Sequence, residues 1–393
     1  MQAISEKVNR MFLSKRFNVI ALGIIAGMVL IAYSNTFNAS FHFDDTPSIT
    51  ENSSIKRVTL DNIIAILQGP RPVVYLSLML NYQLNGLNVV GYHIFNISVH
   101  IVSSYLVFLL FNWTLTLPVL QGKYVDKANR MSLFAALLFA VHPIQTESVT
   151  YIITRTELLA TFFYLIAFIL FIRGARKRNF LFDLGVFFAA LLAMMSKEWA
   201  VTLPALLLLY DYLFLSDKKV KEVLSHWKVY VLAALPATIV IYKMNLFSST
   251  STSIGFNVST PSGITMKTYL LTSFNVIWTY IRLLFLPINQ NLDYDYPIAK
   301  TLFELPTLLS FIGHIVVIGA AFWLYKKKGW LLIPFGVAWF YIGLSPVQSF
   351  VPIIDVIFEH RAYMPSIGFF LAFVVAYEYF FEWWEARKVT EKS

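Results

Sequence analysis

Long apolar runs separated by short polar breaks dominate this chain. Eleven stretches qualify as candidate membrane spans: 17–34, 93–116, 131–145, 156–172, 180–195, 200–215, 229–244, 268–286, 307–325, 329–345 and 361–380. Several fall short of the roughly 20 residues an upright span needs, which helices shielded by their neighbours tolerate. The runs are too long and too weakly alternating for an outer-membrane barrel. Their backbone must therefore close its hydrogen bonds within helices. The expected fold is an all-α polytopic membrane protein with about 10–11 transmembrane helices.

The polar breaks carry their own pattern. The first, 35–92, is long enough to be structured. Leu60, Ile63, Ile64 and Leu67 recur at i, i+3, i+4 and i+7, and Thr59 stands where a helix cap belongs. This predicts a short amphipathic helix lying on the membrane. Gly69-Pro70 breaks it, and Arg71-Pro72 opens a second apolar helix through Tyr82. The Ser-, Thr- and Gly-rich segment 245–267 reads as a second outer loop that orders on ligand binding. No repeat, coiled coil or soluble C-terminal domain is visible. Residues 1–393 therefore read as one transmembrane domain.

Composition agrees: 58% of the 393 residues are hydrophobic and 13% are charged, against roughly a quarter charged in a soluble protein. The net charge of +9 does not point to nucleic acid. Six clusters hold 21 of the 31 Lys and Arg. They are Lys7/Arg10/Lys15/Arg16, Lys123/Lys127/Arg130, Arg173/Arg176/Lys177/Arg178, Lys218/Lys219/Lys221/Lys228, 326–328 and Arg387/Lys388/Lys392. The positive-inside rule makes that side cytoplasmic, with the N-terminus. Eleven crossings would move the last two clusters outside. Ten crossings are preferred, with 268–286 re-entrant or in the interface. No small-x-small pattern follows the first apolar run, so it reads as a retained signal-anchor helix. With no cysteine, disulfides, thiol nucleophiles and thiolate metal sites are excluded.

Under this topology the outer face collects polar groups at helix ends: Asp44, Asp45, Arg71, His93, His142, Glu147, Arg155, Glu157, Lys197, Glu198, Glu359, His360 and Arg361. Two adjacent carboxylates beside hydrocarbon are costly to keep ionised, so Asp44-Asp45 is the leading functional candidate. A hydroxyl acceptor needs a carboxylate to take its proton. A lipid phosphate needs cations at headgroup depth. Plainer readings stand beside these. Asp44 or Asp45 caps a helix. Arg155 with Glu157, and Lys197 with Glu198, form ordinary ion pairs at helix hairpins. His142 before Pro143 ends a helix. A metal site from His93, His142 and Glu147 lacks any ligand spacing. Asn52-Ser53-Ser54 and Asn257-Val258-Ser259 match glycosylation sequons.

Phe43-Asp44-Asp45, Arg71-Pro-Val-Val-Tyr-Leu-Ser, Asn81-Tyr82, Gly91-Tyr-His93-Ile-Phe-Asn96-Ile-Ser-Val-His100, His142-Pro-Ile-Gln-Thr-Glu147-Ser-Val, Arg155-Thr-Glu-Leu-Leu, Ser196-Lys197-Glu198 and Glu359-His-Arg361-Ala-Tyr363-Met-Pro365-Ser occur in this order. The ordered set resembles the membrane module of the transmembrane and tetratricopeptide-repeat O-mannosyltransferases and their prokaryotic relatives, of the GT-C superfamily. The resemblance runs from residue 37 to residue 366. It implies a GT-C-type bundle and inverting transfer of a sugar, often mannose, from a polyprenyl or dolichyl phosphate to an extracytoplasmic hydroxyl. It assigns Asp44 as catalytic base and Asp45 as its acidic neighbour. It places Arg71, Arg155, Lys197 and Arg361 near the donor phosphate, with His93, His142, Glu147, Glu198 and Glu359 around the substrate.

The partners implied are the lipid-linked sugar, a protein, glycan or lipid acceptor, and membrane lipids. The membrane is that of a prokaryotic cell, or the endoplasmic reticulum in a eukaryote. No cofactor is required, because phosphate is a fair leaving group; a divalent metal is compatible with the chemistry. The tetratricopeptide repeats that would hold a protein acceptor are missing from this sequence, which keeps the acceptor class open. The alternative function is a lipid-linked sugar flippase or transporter.

Overall fold

The computed structural model describes residues 2–177, 179–243, 264–349 and 351–390, and among these it contains no strand. α1 (Gln2–Ala32) leads into the short helices α2 (Ser53–Lys56), α3 (Leu60–Gln68) and α4 (Pro72–Asn85). Then come α5 (Val89–Leu115), α6 (Ala128–Val141), α7 (Thr146–Thr150), α8 (Arg155–Lys177), α9 (Phe180–Met194), α10 (Leu203–Tyr210), α11 (Val220–Ser225) and α12 (Trp227–Lys243). α13 (Met266–Phe285), α14 (Leu305–Lys328), α15 (Leu332–Leu344) and α16 (Pro365–Thr390) complete the bundle. Tight turns at Glu198–Thr202 and Glu359–Ala362 lead into α10 and α16.

Among the described residues, five stretches are long and apolar enough to cross a membrane, and five shorter apolar helices of 10–17 residues accompany them. α8 is the central pillar. Its Phe168 ring lies 5.0 Å from Trp339 of α15 and 5.7 Å from Tyr210 of α10. α15 and α16 meet at two glycines. A Cβ on Gly336 would sit 2.4 Å from the Gly368 carbonyl oxygen, so only backbone fits there. α14 is the opposite case: Leu309, Ile315, Val316 and Phe322 are each more than half exposed, as a lipid-facing helix requires.

The first loop folds as its pattern predicts. Thr59 Oγ1 accepts the Asn62 N–H at 3.2 Å and caps α3. Leu60, Ile64 and Leu67 are exposed while Ile66 is buried. Asn52 of the first sequon caps α2 by accepting the Ser54 N–H. The second sequon and nearly all of 245–267 lie outside the described residues. The last expected span is longer and displaced: Pro365, fit for a first helical turn, starts α16, which continues to Thr390.

Contacts sort the two ends of the bundle. At one end Lys123 donates to Tyr379, Lys127 and Arg130 pair with Glu378, Arg173 lies over Trp113, and Lys218 lies over Tyr325. These five basic residues therefore share an end. The candidate acids Glu147, Glu157 and Glu198 lie at the other. α13 runs along that second end. Near its start Tyr269 donates to the Val347 carbonyl, just past α15. In its second half Tyr280 donates to the Phe358 carbonyl. At its finish the Leu284 carbonyl meets His142, just past α6. All three partners follow or precede helix ends on that side.

Candidate active site

The twin aspartates divide their roles. Asp45 is 1% exposed. Its Oδ1 accepts the Ile153 N–H at 2.8 Å and its Oδ2 accepts the His42 N–H at 3.2 Å. Burial pushes its carboxyl up to about 6, although both N–H groups pull the other way. Asp44 is exposed. Its backbone N–H donates to the Tyr151 hydroxyl at 2.8 Å, and among the described residues nothing hydrogen-bonds its carboxylate. Burial, with Asp44, Asp45 and Glu147 nearby, raises the Tyr151 phenol and keeps it neutral. Phe43, just before the pair, holds a left-handed φ of 42°. A buried strut, a clamped backbone and a free carboxylate thus sit on consecutive residues.

The cations lie on neighbouring elements. Arg71, also left-handed at φ 51°, grips Glu198 in a fork: Nε to Oε1 at 2.9 Å and a terminal nitrogen to Oε2 at 3.0 Å. The Lys197 ammonium lies 3.3 Å from Glu157 Oε1. Burial lowers its proton affinity, as do Arg71 and Arg361, while Glu157 and Glu198 oppose them. Arg361 is 8% exposed and donates to the carbonyls of Asp355 and Val356 at 2.7 and 3.3 Å. Among the described residues it has no ion-pair partner. Arg71 and Lys197 each face an acid, Glu198 and Glu157, and Arg361 adds a third cation.

A ladder of polar contacts joins the two halves. The Tyr151 N–H donates to the Glu147 carbonyl at 3.2 Å. The Glu147 carboxylate takes both the His360 N–H, at 2.9 Å, and ring Nδ1, at 2.5 Å. His360 Nε2 lies 4.0 Å from Glu157, whose other oxygen accepts the Trp199 indole N–H at 2.5 Å. Three chain segments meet at His360, and Trp199 adds a fourth through Glu157.

Asp44, Asp45, Glu147, Lys197, Glu198, Arg71 and Arg361 therefore share one end and one polar system. Other candidates have turned to structural work. Arg155 is fully buried, donates to Asn96, Ser77 and the Tyr92 carbonyl, and stacks on Phe95 at 4.1 Å. His93 is buried and holds the Ala39 carbonyl at 2.9 Å. His142 ends α6, accepts the Ile144 N–H and reaches Leu284; burial lowers its proton affinity. Glu359 ties the 290–294 loop through Gln290, the Asn291 N–H and Tyr294. His93, His142 and Glu147 point to different partners, so they do not converge on a metal. Neither sequence-adjacent ion pair forms, because neighbours on a turn project apart: Glu157 pairs with Lys197, and Glu198 with Arg71.

Tyr151, Trp199, Glu157 and His360 are the members that sequence reasoning left without a role. Glu157 and His360 were visible as outer-face charges. Tyr151 gave no signal, since its contact with Asp44 spans 107 residues.

No protein-family profile and no solved structure matches the chain. Among curated proteins it is 29% identical to the human protein O-mannosyl-transferase TMTC4 over 51% of this chain and 30% of that protein. A protein O-mannosyl-transferase of Caenorhabditis elegans is 25% identical over 90% of this chain and 51% of its own length. Human TMTC3 is 30% identical over 49% of this chain and 22% of its own. The chain spans at most about half the length of these relatives. It is a homologue of the TMTC-family protein O-mannosyl-transferases.

Proposed function

We propose that this chain is an inverting glycosyltransferase of the GT-C type. It moves a hexose, with mannose the first candidate from the names of its relatives, from a polyprenyl phosphate to a hydroxyl acceptor. The basic end of the bundle faces the cytoplasm and the carboxylate end faces outward. The observation that carries this reading is the free Asp44 carboxylate, held on a clamped backbone at the end where Arg71, Lys197 and Arg361 gather.

The step is a single displacement. Asp44 takes the acceptor hydroxyl proton while that oxygen bonds to the anomeric carbon. The bond from that carbon to the phosphate oxygen breaks, and its electron pair leaves on the phosphate. Arg71, Lys197 and Arg361 stabilise the charge gathering there. Asp45 positions Asp44 and does not itself meet substrate. Glu147 and His360 keep the base half and the cation half in register. A protein hydroxyl is the first acceptor class to try, with glycans and lipids next.

Proteoliposomes containing the purified chain and a sugar-labelled polyprenyl phosphate test the reaction class. Transfer releases unlabelled polyprenyl phosphate in step with labelled acceptor. Label that crosses the bilayer still joined to its lipid would make the chain a flippase instead.

A further inference from the structure

A cavity of about 350 Å³ opens at the basic end, between the 118–124 turn, the turn joining α14 to α15, and α16. Lys123, Lys328, Gln121 and Trp330 line it together with Val119, Leu120, Leu331, Leu332, Ile333 and Val375, and no Asp or Glu is among its lining residues. The acids nearby on α16 are already engaged. Glu378 pairs with Arg130 at 2.7 Å and Lys127 at 3.0 Å, and Glu382 pairs with Lys127. One wall is a stacked pair: Trp330 lies on Tyr379 with centroids 4.0 Å apart and rings 4° from parallel. Lys123 Nζ donates to the Tyr379 hydroxyl at 2.7 Å, which fixes one ammonium at the mouth.

The surroundings set the depth. Trp323 of α14 and Phe380, Trp383 and Trp384 of α16 are exposed around this end. Lys328 lies over Trp323, Arg387 over Trp383 and Lys388 over Trp384, at 5.1–5.7 Å. Exposed aromatics under long cations mark the headgroup level of a bilayer. We propose that this cavity binds the phosphate-bearing headgroup of an anionic phospholipid from the adjoining leaflet. Lys123, Lys328, the Gln121 amide and the Trp330 indole N–H offer donors to the phosphate oxygens, and Val119, Leu120 and Val375 among the lining residues take the glycerol and first acyl carbons. This site is independent of the transferase reading.

The test is native mass spectrometry of the detergent-solubilised chain titrated with dioctanoyl phosphatidic acid. Dioctanoyl phosphatidylcholine and inorganic phosphate serve as comparison ligands. Lys123→Gln/Lys328→Gln should weaken phosphatidic acid binding by about tenfold or more, since each surface cation adds attraction to an anionic headgroup. Lys219→Gln/Lys221→Gln removes equal charge from exposed positions at the same end and should leave binding unchanged. Gln121→Glu keeps both lysines and adds an acid to the lining; at that exposed turn it should weaken binding with unchanged melting. Equal loss in the Lys219/Lys221 control, or equal binding of phosphatidylcholine, would overturn the site. Inorganic phosphate binding as tightly as phosphatidic acid would overturn the lipid as its source.

Discussion

Asp45 and Ile153 lie 108 residues apart in sequence and are joined by a 2.8 Å hydrogen bond from the Ile153 N–H to the Asp45 carboxylate. That bond locks the segment after α1 to the start of α8. It also sets a pH dependence. The folded Asp45 carboxyl titrates near 6, and an unfolded aspartate near 4. Ionisation therefore opposes the fold: the stability carried by neutral Asp45 is fully present below about pH 4 and is lost as pH rises through about 6. Asp45→Asn cannot ionise. Its stability gap to wild type should shift by about 2 kcal/mol between pH 4 and 7, in the direction of a weakening wild type. Thermal unfolding across that range checks it, and a gap independent of pH would refute it.

Arg155 is a strut. Its guanidinium donates to Ser77 of α4 and to Asn96 and the Tyr92 carbonyl of α5, and it is wholly buried. Lysine cannot make all three bonds. Arg155→Lys should cost about 2–3 kcal/mol in thermal or denaturant stability. Donor KM, measured where the variant is still folded, should stay within about twofold of wild type. A tenfold rise in KM at full folding would return Arg155 to the phosphate site.

Arg71 is the counterpart. Its fork on Glu198 has the geometry that suits phosphate oxygens. Arg71→Lys keeps the charge and loses the fork. Steady-state kinetics should show donor KM raised about tenfold, with kcat less affected. An unchanged KM would place the phosphate elsewhere.

α13 offers a geometric test that the cysteine-free chain makes clean. Single cysteines at Met266 and at Leu286, both exposed, stand at its two ends. A membrane-impermeant maleimide should label both from the same side in oriented vesicles, opposite to a cysteine at Lys326. Labelling of the two ends from opposite sides would make α13 a crossing helix.

The helices were legible because lipid demands long apolar runs, and those runs survive in the sequence without any partner. Thr59, Gly69-Pro70 and Arg71-Pro72 fixed local boundaries for similar reasons, through capping and backbone restriction. Asp44 stood out in the sequence as one of two adjacent acids just after an apolar run. What sequence could not supply was direction. Arg155 and Lys197 look alike as cations at helix ends, yet one turns into the core and the other toward the acids. Tyr151, His360 and Trp199 act through partners dozens to hundreds of residues away, and no local pattern encodes such pairings.

His360 makes that point experimentally. It touches Glu147 through two atoms and approaches Glu157 with the third. His360→Asn should lower kcat several-fold while leaving donor KM near wild type, because the two halves lose register but the cations remain. Loss expressed only in KM would mean that His360 contacts the donor.

The most direct measurement compares Asp44→Asn with wild type in proteoliposomes, recording both sugar transfer and binding of the polyprenyl-phosphate sugar. Removing a general base should slow transfer by about 10²–10⁴-fold, with donor affinity and melting temperature unchanged. Near wild-type transfer by the folded variant would contradict the assignment of Asp44 as the base.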